Sequence, residues 1–207
     1  MRSFDDATRR NIGALCAAFT RAAPAGIAPE LKRAAVAIAL TGTEAKETAF
    51  LLTRRAAGLR AHRAQWALPG GRCDAAETPL QAALRELHEE LGLALTSDAV
   101  LGLLDDYPTR SGYLITPVVV WADGRQTIAP NPQEVASVHA IPLEMIERED
   151  AFDFVSIPES ARRVIRFHYE SRLIHAPTAA MIYQFREVLD GRATRVADLE
   201  QPVFAWK

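Results

Sequence analysis

The stretch that most constrains the fold is residues 71–93, GRCDAAETPLQAALRELHEELGL, which predicts one amphipathic helix with clear ends. Thr78 suits the N-cap, with Gln81 as its capping-box partner and Pro79 in the first helical turn. Gly92 stands where a left-handed C-terminal cap belongs. The predicted buried face consists of Leu80, Leu84, Leu87 and Leu91. The stretch therefore folds as a helix with one face on a hydrophobic core.

The same helix carries three glutamates, Glu86, Glu89 and Glu90, which its period places on one stripe roughly opposite the leucines. Like charges three and four residues apart repel by roughly a few tenths of a kcal/mol per pair. A hard divalent cation would turn this repulsion into attraction, because Mg²⁺ takes carboxylate oxygens and shares them with substrate phosphates. A solvated acidic face is the more common explanation of such charges, so the neighbouring residues decide between the two.

The residues around the helix favour the metal site. The run 68–71, Leu-Pro-Gly-Gly, predicts a tight turn whose backbone carbonyls approach a ligand closely. Glu77 precedes the helix and Arg85 lies within it. A carboxylate–guanidinium ion pair between them would brace the loop against the helix.

These residues are similar to the Nudix box, whose pattern is Gly-x5-Glu-x7-Arg-Glu-U-x-Glu-Glu-x-Gly-U with U aliphatic. Gly71, Glu77 and the run 85–93, RELHEELGL, match every fixed position. The resemblance implies an α/β fold, a Nudix-type α/β/α sandwich with a mixed central sheet. It also implies a pyrophosphatase that uses Mg²⁺ or Mn²⁺ to hydrolyse a nucleoside diphosphate linked to another group.

The resemblance implies roles for individual side chains. The expected metal ligands are Glu86, Glu89, Glu90 and the carbonyl of Gly70. The expected catalytic residues are Glu77, Arg85, Glu86 and Glu89. Glu86 and Glu90, one helical turn apart, are the first choice of ligands. Glu89 is either a third ligand or the base that accepts the proton of the attacking water, and which glutamate acts as base stays open.

A basic segment, residues 54–63, lies directly ahead of the glycine turn and holds four arginines and one histidine. A solvated loop is its ordinary explanation. Beside a metal site for phosphates, however, guanidinium groups become candidates for binding anionic substrate groups. The expected substrate-binding residues are Arg54, Arg55, Arg60 and His62.

Residues 51–71 also resemble the signature ahead of the box in Nudix coenzyme A pyrophosphatases, approximately Leu-Leu-Thr-x-Arg-Ser/Ala-x3-Arg-x3-Gly-x3-Phe-Pro-Gly-Gly. Ala64 replaces its glycine and Leu68 its phenylalanine. Residues 109–119 and 131–135 resemble the same subgroup. Within the second of these, Glu134 is either an extra catalytic or metal carboxylate or simply the charged start of a strand.

The subgroup resemblance implies hydrolysis of coenzyme A or its derivatives to 4′-phosphopantetheine and adenosine 3′,5′-bisphosphate. The two departures from the signature leave a second interpretation open, a pyrophosphatase for ADP-ribose, a dinucleotide or a nucleotide sugar. A third is a catalytically silent module that binds nucleotides. The intact set of box glutamates argues against the third interpretation.

The whole chain supports a small-molecule enzyme. With 207 residues it predicts a single domain, 1–207, and 24 basic against 26 acidic residues leave no general attraction for nucleic acid or membranes. Cys16 and Cys73 are too few for a disulfide framework and suit a reducing compartment. We expect a cytoplasmic monomer or homodimer with a nucleotide substrate.

The remaining elements are predicted from periodicity and turn residues. The predicted helices are about 4–22, 142–148 and 178–189, with a further helix beginning over 158–163. The predicted strands are 34–40, 48–53, 100–104, 114–121 and 134–141. Residues 164–169 fit either a strand or a helix, and the apolar tail 203–206 is expected to pack on the sheet or on a partner subunit.

Overall fold

The computed structural model describes residues 2–22, 30–56, 65–124 and 126–206. Its helices are α1 (Asp6–Ala18), α2 (Pro79–Leu91), α3 (Leu143–Glu147) and α4 (Thr178–Leu189). Its strands are β1 (Lys32–Gly42), β2 (Thr48–Arg55), β3 (Trp66–Ala67), β4 (Gly70–Arg72), β5 (Val100–Leu103), β6 (Tyr107–Pro108), β7 (Tyr113–Trp121), β8 (Val135–Pro142), β9 (Phe152–Ile157), β10 (Ser160–Tyr169) and β11 (Arg172–His175).

The central sheet is mixed, as predicted. Within the described ranges its main order is β3-β2-β1-β7-β5, and β8, β4 and β6 pair with β2, β1 and β7, respectively. β1 and β7 run parallel, in register from Lys32 opposite Tyr113 to Leu40 opposite Trp121. The other pairs of this sheet are antiparallel.

β1 divides the core because its residues alternate between the two faces of the sheet. The face towards α2 is made of small side chains, Ala35, Ala37 and Ala39. They let the helix axis approach the strands, so that Leu87 and Leu91 of α2 are fully buried. The other face of β1 carries the larger residues Val36, Ile38 and Leu40.

The larger residues face a second layer on the opposite side of the sheet. This layer contains α1, α4 and an antiparallel sheet of order β11-β10-β9. Phe50 of β2 and Phe167 of β10 belong to the same buried cluster, so the two sheets share one core. Helices thus cover both sides of the mixed sheet, which confirms the α/β/α sandwich.

Most predicted elements are present, and two differ. The helix predicted to begin over 158–163 is wrong, because Pro158 and Glu159 form the turn between β9 and β10. Proline presets φ for a tight turn as well as for a first helical turn. Residues 164–169 are accordingly a strand. The N-terminal helix is shorter than 4–22 and ends at Ala18. No helix within the described ranges has the length and apolarity needed to cross a bilayer.

The C-terminal segment is fastened to the sheet by a buried carboxylate, that of Glu200. Arg110 donates to it twice, from Nε to Oε1 at 3.1 Å and from Nη2 to Oε2 at 2.6 Å. Ser160 Oγ donates to Oε2 at 2.8 Å, and the backbone N–H of Gln201 donates to Oε1 at 3.0 Å. These bonds, led by that of Arg110, lower the pKa of Glu200 from 4.5 to about 2.

Glu200→Gln should destabilise the protein by on the order of 2 kcal/mol at pH 7, because it removes the charge from a bidentate ion pair. The folded-state pKa lies below the ordinary value of 4.5, so this stabilisation is complete above pH 4.5 and disappears as pH falls through about 2. Urea unfolding of both proteins at pH 7, 5 and 3 measures the difference.

Glu44→Gln serves as the matched control, because Glu44 is exposed in the turn between β1 and β2. Its midpoint should differ little from that of the wild type at every pH. A difference between Glu200→Gln and wild type that stayed constant from pH 7 to pH 3 would contradict the ionic contribution.

Candidate active site

The candidate site is built on α2, whose ends are fixed by the residues that predicted them. The N–H of Thr78 donates to Gln81 Oε1 at 2.9 Å, and the N–H of Gln81 donates to Thr78 Oγ1 at 3.3 Å. Gly92 closes the helix in the left-handed conformation, with φ of 71°. The capping box and the C-cap therefore fix where α2 begins and ends relative to β4.

The glycine turn lies unusually close to its neighbours. Gly70 has φ of 153°, and a Cβ built on it would lie 2.3 Å from the carbonyl oxygen of Ala35. A Cβ on Gly71 would lie 2.2 Å from Glu86 Oε1. A side chain at position 70 would clash with the backbone of β1, and one at position 71 would displace the Glu86 carboxylate. Glycine here brings the backbone directly against the carboxylate.

Arg85 joins the loop to the helix, as the spacing predicts. Its Nε and Nη2 donate to the two oxygens of Glu77 at 3.0 and 3.1 Å, and Nη2 also donates to the carbonyl of Arg72 at 2.9 Å. Nη1 donates to Glu86 at 2.9 Å and to Glu89 at 3.0 Å. The bond to Arg85 lowers the pKa of Glu77. One guanidinium thus braces β4, the loop before α2 and the helix itself.

Glu90 is the most confined acid of the site, with 3% of its surface exposed. Its Oε2 accepts from the N–H of Gly70 at 3.2 Å, and its Oε1 lies 3.6 Å from Arg55 Nη1. Burial, with a contribution from the charge of Glu86, raises the pKa of Glu90 to about 7. Burial also raises the pKa of Glu86, against the opposing bond from Arg85.

The expectation that all three glutamates lie opposite the leucines is wrong for Glu90. At about 100° per residue, Glu90 is only about 60° around the helix from Leu87, so it borders the buried face. Glu89 points away, with 52% of its side chain exposed. The structure therefore brings Glu86 and Glu90 together at the glycine turn and leaves Glu89 outside, on the far side of Arg85.

The donor set fits a hard divalent cation. Within the described ranges no group of three or more Asp, Glu, His or Cys side chains is arranged to hold a metal ion by itself. Mg²⁺, however, is commonly held by one or two carboxylates, with water and substrate phosphates completing its shell. Glu86 and Glu90 supply two carboxylates in a poorly solvated place, where a cation would offset the cost that their raised pKa values express.

Glu134 belongs to the same electrostatic neighbourhood. Its negative charge contributes to raising the pKa of both Glu86 and Glu90. It precedes β8, and its backbone carbonyl accepts from the N–H of Ala56 at 2.8 Å. Both sequence interpretations of Glu134 thus describe part of its surroundings, because it adds a carboxylate near the site and also adjoins a strand.

A cavity of about 600 Å³ opens beside the glycine turn. Arg55 lines it, whereas Arg54, the preceding residue of β2, does not appear in its wall. Arg55 Nε is buried and has no hydrogen-bond partner within the described ranges, so it can donate to a bound anion. Arg60 and His62 lie outside the described residues.

Much of the cavity wall was not predicted from the sequence. Trp66 and Arg72 lie on the side of β3 and β4, whereas Arg172, His175 and Phe204 come from the C-terminal part of the chain. Only the apolar tail 203–206 drew attention to that part. Its composition does not indicate a position beside the glutamates, because that position depends on contacts between residues about a hundred apart.

A protein-family model, the NUDIX domain, matches residues 31–160. A protein of Yersinia enterocolitica named uncharacterized Nudix hydrolase NudL is 37% identical over 139 residues, covering 66% of this chain and 71% of the relative. A protein of the same name from Photorhabdus laumondii is 34% identical over 141 residues, covering 67% and 75%.

Among solved structures, a MutT/nudix family protein from Enterococcus faecalis superposes with a TM-score of 0.56. It is 20% identical and covers 81% of this chain and 66% of its own. At this level of identity the similarity shows a shared fold.

The ion pair of Glu77 and Arg85 should appear as non-additivity in a double-mutant cycle. We expect Glu77→Gln and Arg85→Met to be coupled by about 1 kcal/mol or more in the free energy of unfolding, because two bonds join side chains that are largely shielded. Chemical denaturation of both single variants and the double variant measures the coupling.

Arg148 and Asp150 provide the matched control, since they form a similar two-bond pair that is mostly exposed. A cycle on that pair should show no measurable coupling. Additive losses at Glu77 and Arg85, equal to those of the control cycle, would remove the bracing role.

Proposed function

The chain belongs to the Nudix hydrolase family, and we propose that it hydrolyses coenzyme A or its derivatives at the pyrophosphate with the help of Mg²⁺ or Mn²⁺. The products are 4′-phosphopantetheine and adenosine 3′,5′-bisphosphate. The observation that carries this proposal is the meeting of Glu86 and Glu90 with the Gly70–Gly71 turn, which itself lines the cavity.

The metal ion would supply charge neutralisation on the diphosphate and activation of the attacking water. We propose that Glu86 and Glu90 hold it, joined by the carbonyl of Gly70. Arg85 and Glu77 keep the turn and helix at a constant separation, so that the carboxylates stay aligned. Arg55, which lines the cavity and whose Nε has no hydrogen-bond partner among the described residues, binds a phosphate oxygen of the substrate.

Glu89 has a different proposed role. Its exposed side chain is held by Arg85 and not by the turn. It acts either as the proton acceptor for water or as a ligand reached after Arg85 releases it, and the two alternatives stay open.

Three signature segments support coenzyme A as the substrate. The first segment, residues 51–71, includes Arg55, which lines the cavity. Thr109, Ser111 and Tyr113, from the second segment, line the same cavity, and Glu134, from the third, acts electrostatically on Glu86 and Glu90. Leu68 also lines it, so the departure from phenylalanine falls at a position where it can affect substrate choice.

The cavity is large enough for more than a diphosphate. Its volume of about 600 Å³ lies in the range typical of sites for small organic ligands. We also propose a cytoplasmic location for the reaction, which the free thiols of Cys16 and Cys73 support.

Glu90→Gln should lower kcat/KM by on the order of a hundredfold or more, because the variant loses a carboxylate that binds the charge-stabilising ion. The fold should survive, since the pKa of Glu90 is already raised by burial and a neutral side chain relieves that cost. Steady-state hydrolysis over a Mg²⁺ titration, with unfolding measured in parallel, tests both points.

His88→Gln is the matched control, because His88 is an exposed residue of the same helix turn. It should retain near-normal hydrolysis. Normal turnover of a folded Glu90→Gln protein in limiting Mg²⁺ would refute the metal site.

The substrate itself is tested with coenzyme A and dephospho-coenzyme A, which differ only by the 3′-phosphate. Wild type should favour coenzyme A, and Arg60→Ala should reduce kcat/KM for coenzyme A by roughly ten- to a hundredfold, because one charge-assisted contact contributes about 1.5–3 kcal/mol. Dephospho-coenzyme A should be affected little. Arg63→Ala, in the same basic segment but at a variable signature position, is the control.

Equal rates on both substrates in wild type, or equal losses on both in Arg60→Ala, would remove the 3′-phosphate from recognition. ADP-ribose, NADH and diadenosine polyphosphates, assayed beside them with Mg²⁺ and Mn²⁺, then identify a different nucleotide substrate. No turnover of any of these compounds would favour the nucleotide-binding module.

A further inference from the structure

The far wall of the cavity comes from a part of the chain that the NUDIX match does not include. The match ends at residue 160, whereas β11, the start of α4 and the tail supply much of the lining. The side chains that matter here are Arg172, Leu173, His175 and Phe204. The glutamates and the glycine turn lie within the match. The residues proposed to carry the chemistry and those of the far wall therefore come from different parts of the chain.

The far wall exposes apolar surface. Leu173 is 43% and Phe204 is 64% exposed, and with Val203 at 42% they are the large hydrophobic residues exposed in the part of the chain that the structure describes. All three belong to β11 or the tail. Exposed apolar side chains gathered in a concave site are typical of ligand binding, because covering them releases water from apolar surface.

Phe204 is held in place by its surroundings. Its ring meets the His175 ring edge to face, with 5.4 Å between centroids. Two residues later, Trp206 Nε1 donates to the carbonyl of Gln201 at 2.8 Å, and Arg110 lies over the Trp206 ring. The tail is thereby attached to the loop that Glu200 already fastens. The aromatic surface is thus part of the folded wall.

The charge of this wall is low. Burial, and next the nearby positive charge of Arg166, lower the pKa of His175, so its ring is neutral at pH 7. Arg172 is the cation of the far wall and is exposed. Arg55, by contrast, lies beside Glu90. The cavity lining therefore combines a cation next to the glutamates with an apolar surface from β11 and the tail.

We propose that Leu173, His175 and Phe204 form a subsite for an apolar chain attached to the pantetheine half of the substrate. Medium-chain acyl thioesters of coenzyme A are then preferred over the free thiol and over short acyl groups. This inference rests on the proposed function, because it assigns the unreactive half of the same substrate. The chain packs on Leu173 and on the ring pair of Phe204 and His175.

The first experiment compares kcat/KM for free, acetyl-, octanoyl- and octanedioyl-coenzyme A. Octanoyl should exceed acetyl by roughly tenfold, because several methylene groups leave water. Phe204→Ser and Leu173→Ser should each remove most of that preference and leave the rate on free coenzyme A nearly unchanged. Val203→Ser, at a residue of the same tail that is as exposed as Leu173 but does not line the cavity, should keep the preference.

Equal kcat/KM for acetyl and octanoyl thioesters in wild type would overturn the apolar subsite. A preference for octanedioyl, with its terminal carboxylate, would also overturn it and assign the wall to anion binding by Arg172. Loss of the octanoyl preference in Val203→Ser as strongly as in Phe204→Ser would show a general effect on the tail and would likewise count against it.

The second experiment separates this inference from the proposed function. Calorimetry without metal measures binding of octanoyl- and acetyl-coenzyme A to wild type and Phe204→Ser. Tighter binding of octanoyl that depends on Phe204, without any hydrolysis when Mg²⁺ is added, would support the subsite while refuting coenzyme A hydrolysis. Hydrolysis of coenzyme A with equal binding of both thioesters would retain the function and refute the subsite.

Discussion

The burial of Glu90 against the glycine turn is the constraint on which the rest of the site depends. A carboxylate with 3% exposure loses most of its hydration, and its pKa of about 7 expresses that loss. The Gly70 N–H and Arg55 offset only part of the cost, while Glu86 adds to it. The fold must therefore hold two mutually repelling acids together. A helix face that served stability alone would not place them side by side.

The support comes from packing on one side and from an ion pair on the other. Alanines on β1 let α2 approach the sheet, and Leu87 and Leu91 anchor it there. Arg85 then ties the opposite side of the helix to Glu77 and to the backbone of Arg72. Because both restraints act within three helix turns, the spacing between Glu86, Glu90 and the turn is held from two directions.

The local part of this arrangement could be predicted from sequence. Thr78, Gln81 and Gly92 determine the ends of α2 through hydrogen bonds within a few residues, and those ends appear where the pattern put them. The spacing of Glu77 and Arg85 likewise predicts a contact across one loop. Glu90 was misplaced because the three glutamates were treated as one stripe, although the helical period already places Glu90 about 60° from Leu87, at the border of the buried face. Pro158 was misread because proline suits both a turn and a first helical turn.

The far wall of the cavity could not be predicted, because its position depends on contacts across long stretches of chain. Arg110 and Glu200 are ninety residues apart, yet their two bonds join the loop that carries Thr109 and Ser111 to the segment that carries Phe204. Nothing near Glu200 in the sequence announces this pairing. The proposed separation between the catalytic acids and the substrate-selecting surface also follows from the range of the contacts that hold each of them. Local caps and a short-range ion pair position the acids, whereas one long-range ion pair to the buried Glu200 carboxylate positions the surface proposed to select the substrate. Changes in the tail can therefore alter that surface without displacing Glu86 or Glu90, because the contacts described above restrain those two acids through β1, the glycine turn and Arg85.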